Sequence, residues 1–251
     1  MSEFVFKRYE IKFILTPEQH KTVLEEISPY MKMDKYGEST IQSLYYDTPD
    51  YLLIRRSIDK PEYKEKIRVR SYGLASDDDK VYLEIKKKAF GVVFKRRISL
   101  PHKDAKDFFV NGLKSDKGQI GNELEYCRSF YKNLQPSMMI LYDRTAFYQD
   151  GTDLRMTFDR NVRYRKDRLS LSSGLDGIHL LDGGKIMWEV KSSVDAFPLW
   201  LVKILSKHKL YKASFSKYGT AYSREILKQN TLEVEKIGEV VWCVLFVRHS
   251  F

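Results

Sequence analysis

The feature that most constrains this chain is a charged–apolar alternation that recurs along most of its length, with the charged positions repeatedly Lys or Arg. In residues 63–72, Lys66, Arg68 and Arg70 fall on one side of an extended backbone and Ile67 and Val69 on the other. In residues 80–88, Glu84, Lys86 and Lys88 oppose Leu83 and Ile85, and in 92–100 Lys95 shares a side with Arg97. Segments 6–14, 40–46, 137–148, 154–164 and 186–193 alternate in the same way. They place Arg8 with Glu10 and Lys12, Tyr142 with Arg144, Arg155 with Thr157 and Asp159, and Glu189 with Lys191. Period two is the period of a β-strand, so these segments predict about eight strands, each with one apolar and one charged face.

Such a sheet has two ways to dispose of its faces. Charged faces ordinarily meet solvent. Here, however, neighbouring strands repeat the same sign, and like charges across a ladder repel. Helical patterns at 50–58, 103–113, 122–134, 197–208 and 216–228 carry apolar residues that suit the opposite faces. Thr16, Pro17 and Glu18 predict a further helix to about residue 30, with Thr at the cap and Pro in the first turn. With helices outside, the charged faces turn inward, and closure of about eight strands leaves room for one ligand. The expected fold class is therefore α+β: a closed antiparallel β-tunnel with a basic interior, flanked by helices. Residues 1–229 read as one domain without repeat or linker, and 230–251 as a C-terminal extension that fits neither strand nor helix plan.

A net charge of +10 calls for an acidic partner: nucleic acid, anionic lipid or a phosphorylated small molecule. Cys127 and Cys243 lack metal or disulfide spacing, and the five histidines show no triad or metal pattern. P-loop, nucleophile-elbow and dinucleotide fingerprints are missing. The apolar run 240–247 is shorter than the ~20 residues of a spanning helix, and Met1 to Lys7 lack the apolar core of a signal peptide. A cytoplasmic protein is expected. Nucleic acid is a disfavoured partner, because Tyr45, Tyr46, Tyr72 and Tyr82 read as packing positions rather than base platforms. Glu84 reads as a counter-charge to Lys86 or as a second metal ligand. The basic helix around Lys203, Lys207, Lys209 and Lys212 reads as a solvated face or as a funnel for polyanion.

Several segments together carry a resemblance. They are Arg8-Tyr9-Glu10-Ile11-Lys12-Phe13, Ile67-Arg68-Val69-Arg70-Ser71-Tyr72-Gly73, Leu83-Glu84-Ile85-Lys86 and Lys95-Arg96-Arg97. Further on come Tyr142-Asp143-Arg144-Thr145-Ala146-Phe147, Leu154-Arg155-Met156-Thr157-Phe158-Asp159, Trp188-Glu189-Val190-Lys191 and Phe215-Ser216-Lys217-Tyr218. In this order they resemble the VTC (vacuolar transporter chaperone) domain, the polyphosphate polymerase branch of the CYTH-like triphosphate tunnel metalloenzymes. The resemblance implies a metal-dependent transfer of the terminal phosphoryl group of ATP to inorganic polyphosphate.

It further implies that Lys12, Arg68, Arg70, Lys86, Arg144, Arg155 and Lys191 line the tunnel wall as phosphate contacts, with Lys95 or Arg97 completing the ring. Tyr142 would donate a hydrogen bond to a phosphate and Lys217 would position the terminal one. Glu189 would hold Mn2+ or Mg2+. Two positions depart from the pattern. Ser214 stands where the family often has Lys. Arg8 stands where the hydrolases and cyclases of the wider superfamily have the first Glu of Glu-x-Glu-x-Lys, leaving Glu10 as the second. A triphosphatase and a non-catalytic polyphosphate-binding module are the alternatives. A membrane-protein partner is implied by the family alone.

Overall fold

The computed structural model describes residues 9–227 apart from 60, 91, 115 and 195. Arg8 and the segment 230–251 lie outside the described residues. The elements run β1 (Tyr9–Leu15), α1 (Pro17–Ile27), β2 (Lys32–Asp47), α2 (Leu52–Ile58), β3 (Tyr63–Tyr72), β4 (Lys80–Ala89) and β5 (Val92–Pro101). They continue with α3 (His102–Asn111), α4 (Gly118–Tyr131), β6 (Gln135–Tyr148), β7 (Arg155–Arg165), β8 (Ile178–His179), β9 (Ile186–Ser192), α5 (Leu199–Lys207) and α6 (Lys217–Tyr222). The alternation gives the bounds of β3 as observed and those of β4, β5, β6, β7 and β9 to within two residues, while β2 begins eight residues before its expected start at 40. Helix α1 starts where Thr16 predicts: its hydroxyl accepts from the Gln19 amide (3.2 Å), and the Gln19 side chain accepts from the Thr16 amide (3.0 Å).

The strands form one antiparallel sheet in the order β1-β9-β7-β6-β2-β3-β4-β5, with the two-residue β8 added to β7. The expected closed tunnel is corrected at one seam: among the described residues no ladder joins β1 to β5. The reason lies at the free edge of β1, where the Ala213 amide donates to the Lys12 carbonyl (2.7 Å). The strap 210–216 therefore occupies the edge that a closing strand needs. The sheet still bends far enough for Lys86 Nζ on β4 to come within 3.8 Å of Glu10 Oε2 on β1.

Two cores cover the outer face. Phe13, Trp188, Phe158 and Val190 of β1, β9 and β7 pack under Val23 and Ile27 of α1 and Leu201 and Ile204 of α5. Leu44, Ile67, Val69, Leu83, Ile85 and Ile98 pack under Ala105 and Phe108 of α3 and Leu124 and Cys127 of α4. Each buried large apolar side chain is worth roughly 1.5–3 kcal/mol, which holds the charged faces inward.

A third core was not anticipated. Ile41, Tyr45, Met138, Ile140, Val162 and Tyr164 lie on the inner face at one end and pack against Ile54 of α2 and Tyr218, Ala221 and Tyr222 of α6. The bore is thus plugged by apolar side chains at that end. A bulge makes this possible: Leu141 pairs with Arg163 but Asp143 with Arg160, so β7 gains a residue and changes which parity faces inward. Below the bulge Thr157 and Asp159 point into the bore; above it Val162 and Tyr164 fill the plug. Asn161, in the extra stretch, takes the left-handed conformation (φ 48°) that Asn tolerates better than most residues.

Candidate phosphate-binding bore

Three carboxylates organise the inner face. Asp159, fully buried on β7, accepts two parallel bonds from Arg144 of β6 (Nε 2.6 Å, Nη2 2.8 Å) and a third from Lys217 Nζ of α6. Burial alone would raise its pKa, but Arg144 and Lys217 hold it below the usual carboxylate range. Glu84 on β4 accepts from Arg68 Nε (2.7 Å) and Arg97 Nε (2.5 Å), with Lys95 Nζ at 3.2 Å. Against burial, Arg68, Arg70, Lys95 and Arg97 hold its carboxyl far below the ordinary range. Its place among four cations is that of a counter-charge. Glu189 on β9 accepts from Lys191 (2.7 Å) and lies 3.8 Å from Lys12 Nζ. Burial opposes its ionisation, yet Lys191, Lys217, Arg144 and Lys12 keep it well below the usual range.

The remaining cations are less well served. Arg70 is only 6% exposed, and its partners among the described residues are hydroxyls: Ser43 Oγ at 3.4 Å and Tyr142 Oη at 3.2 Å. Lys66 likewise meets a hydroxyl, donating to Ser216 Oγ at 3.1 Å. Burial, aided by repulsion from Lys86, Lys12 and Lys64, pushes the Lys66 ammonium down to about 8 despite the opposing pull of Tyr45. Burial also lowers Lys86 and takes Lys95 down to about 7, with Arg68, Arg70 and Arg97 adding to the shift. Lys66 and Arg70, buried with hydroxyls as their hydrogen-bond partners among the described residues, carry a desolvation cost that no bonded carboxylate offsets, whereas Lys86 and Lys95 keep Glu10 and Glu84 at 3.8 and 3.2 Å.

Most of the residues singled out in the sequence converge here. Lys12, Arg68, Arg70, Lys86, Lys95, Arg97, Tyr142, Arg144, Glu189, Lys191 and Lys217 share the inner face or the α6 end of the bore. Both Lys95 and Arg97 face it, where one was sought. Tyr142 is fully enclosed; its ring lies under Lys217 Nζ (4.4 Å) and Arg144 (5.0 Å), and its hydroxyl accepts from Arg70. Arg155 departs from expectation: it is exposed at the first position of β7, opposite Lys191, at the rim rather than in the wall. Ser214, Lys209 and Lys212 are all exposed.

Of the four tyrosines expected to pack, Tyr46 does so in the outer core and Tyr45 in the plug, stacked on Tyr218; Tyr72 and Tyr82 stand on the cationic face, in register with Ile41 and Arg70. Sequence reading also missed Lys66 and Asp159 as site residues, although both carry the inward parity of Arg68 and Thr157.

Glu189 and Glu10 stand on adjacent strands with Lys12 Nζ between them, 3.8 Å and 3.3 Å from their oxygens. Among the described residues no three acidic, His or Cys side chains form a metal cage. The donors therefore suit a hard divalent ion that takes one or two carboxylates and completes its shell with substrate oxygens.

The described residues form an antiparallel sheet bent round a buried cationic bore and covered by outer helices. The chain belongs to the VTC domain family, whose model matches residues 7–225. Its fold is similar to that of solved structures of low sequence identity. A protein of Bacillus halodurans named as a candidate adenylate cyclase superposes with a TM-score of 0.55 at 12% identity, covering 84% of this chain and 95% of that one. A similarly named protein of Vibrio parahaemolyticus covers 85% of this chain and 97% of its own at 10% identity, with a TM-score of 0.46. No curated protein matches the sequence. Among the described residues no helix is long and apolar enough to cross a membrane.

Proposed function

We propose that the bore binds the triphosphate of ATP and passes its terminal phosphoryl group to the end of an inorganic polyphosphate chain. The observation that carries this reading is that Arg70 and Lys66, on one face of β3 with Arg68 between them, have hydroxyls as their hydrogen-bond partners among the described residues. A linear phosphate chain supplies oxygens at short intervals along one line, which matches cations arrayed strand by strand. Arg68, Arg70 and Arg144 offer planar forks for bidentate phosphate contact, whereas Lys12, Lys66 and Lys86 act as point charges.

In the transfer, a terminal oxygen of the acceptor chain forms a bond to the γ-phosphorus as the bond to the β–γ bridging oxygen breaks, and ADP leaves with that electron pair. The protein's part is alignment and charge neutralisation, which carry most of the rate in phosphoryl transfer. Lys217, fixed by Asp159 at the plugged end, holds the terminal phosphate. Glu189, with Glu10 beside it, would hold Mn2+ or Mg2+, which when bound neutralises phosphate charge.

Incubation of the purified chain with ATP and Mn2+, followed by gel separation of the products, tests the reading. Long chains accumulating with ADP are expected. Free phosphate without chains makes the protein a triphosphatase. Ser214, exposed where the family often has Lys, supports a second reading as a non-catalytic module; polyphosphate binding without ATP consumption is its signature.

A further inference from the structure

Polyphosphate has no aromatic part, yet the cationic face of the sheet carries an aromatic cluster where β3 ends, opposite Ile41. Tyr72 ends β3 two residues beyond Arg70 on the same face and is 51% exposed. Its ring meets the edge of Tyr82 on β4 (5.8 Å, 89°), and Tyr82 is in turn covered by the Arg97 guanidinium at 4.5 Å. Arg97 is anchored by Glu84, the carboxylate that also holds Arg68. Tyr82 is thus half-buried between Tyr72 and Arg97, and Tyr72 meets its edge while half exposed to solvent.

We propose that Tyr72, braced by Tyr82 and Arg97, is a stacking shelf for the base of a nucleoside triphosphate, so that this chain prefers nucleotides to inorganic tripolyphosphate. The inference rests on the bore as a triphosphate site and names the part of the substrate that lies outside it. A strand advances about 3.3 Å per residue, so Tyr72 lies roughly 13 Å along β3 from Arg68. That span suits phosphates lodged between Arg68 and Arg70, a ribose, and a base at the rim. Stacking is tolerant of base identity, because every base presents a π-face. Purine nucleotides should therefore be held somewhat better than pyrimidine ones, without a sharp cutoff.

The test compares ATP with inorganic tripolyphosphate by titration calorimetry on the wild-type chain, Tyr72→Ala and Tyr72→Phe. The expected result is that Tyr72→Ala weakens ATP about tenfold and leaves tripolyphosphate within about twofold, while Tyr72→Phe keeps both affinities. Equal binding of the two ligands by wild type, or an equal loss of both in Tyr72→Ala, overturns the shelf while leaving the bore intact. Failure of wild type to bind either ligand overturns the shelf and the triphosphate reading together.

Discussion

Arg70 and Lys66 show how a single side chain can report a missing partner. Arg70 is 6% exposed and its hydrogen-bond partners among the described residues are hydroxyls, so on the proposed reading a bound phosphate chain supplies its bonded counter-anion. The titration of Lys66 gives this a pH signature. Its ammonium is pushed down to about 8 by burial and by Lys86, Lys12 and Lys64. A polyanion binds the protonated form, so affinity should be full below the free-state value and fall as pH rises through it, with protons taken up on binding. In Lys66→Arg the charge persists, so the loss between about pH 7 and pH 9 should shrink. Lys95, at about 7, retains a smaller slope. Tripolyphosphate affinities measured across that range decide the point, and superimposable wild-type and variant profiles would sink it. Glu189→Gln should lower metal-dependent turnover by at least about a hundredfold while circular dichroism shows the sheet unchanged. Retained activity in that variant removes Glu189 from the metal.

At the scale of elements, α6 matters beyond its six residues because it carries Lys217 into the bore. Its seat is Asp47 at the end of β2, which accepts from the Leu53 and Ile54 amides of α2 (2.8 and 3.0 Å) and from the Tyr218 hydroxyl (2.9 Å). One buried carboxylate thereby ties β2, α2 and α6 together. Asp47→Ala leaves those donors unsatisfied and should cost about 2–3 kcal/mol in urea unfolding. Phosphate binding should weaken as well, since Lys217 loses its footing. A stability loss below about 0.5 kcal/mol would show that the network is incidental. Much of this level was legible: Thr16-Pro17 announced α1, and the alternation at 63–72 gave β3 with its observed bounds. The β7 bulge was not, because Asn161 in an otherwise regular strand carries no local mark of an inserted residue. The turn to the plug, where Val162 and Tyr164 replace charged residues, was hidden with it.

At the scale of the molecule, no ladder among the described residues joins β1 to β5, and the seam is spanned by charge and by the strap, through Lys86–Glu10, Lys12–Phe215 and Lys66–Ser216. A polyanion in the bore neutralises the wall and binds only the folded chain, so it should raise the thermal midpoint; a concentration of a hundred times Kd is worth about 2.7 kcal/mol. Added salt should erode that gain, because screening weakens the exposed part of the attraction. A thermal scan with polyphosphate in low and high salt checks both, and an absent shift speaks against a polyanion bore.

What the sequence determined by itself was everything local in cause: strand periodicity, the helix cap at Thr16, and the gathering of Lys and Arg on one parity of each strand. Parity alone marks Lys66, Arg68 and Arg70 as neighbours, since alternation is a property of the backbone. Tertiary structure alone decided which parity faces inward past the bulge, where the bore is plugged, that Tyr72 and Tyr82 stand beside the cations, and that a strap takes the edge of β1. These depend on register between distant strands and on competition for one edge, and neither is encoded within any single segment.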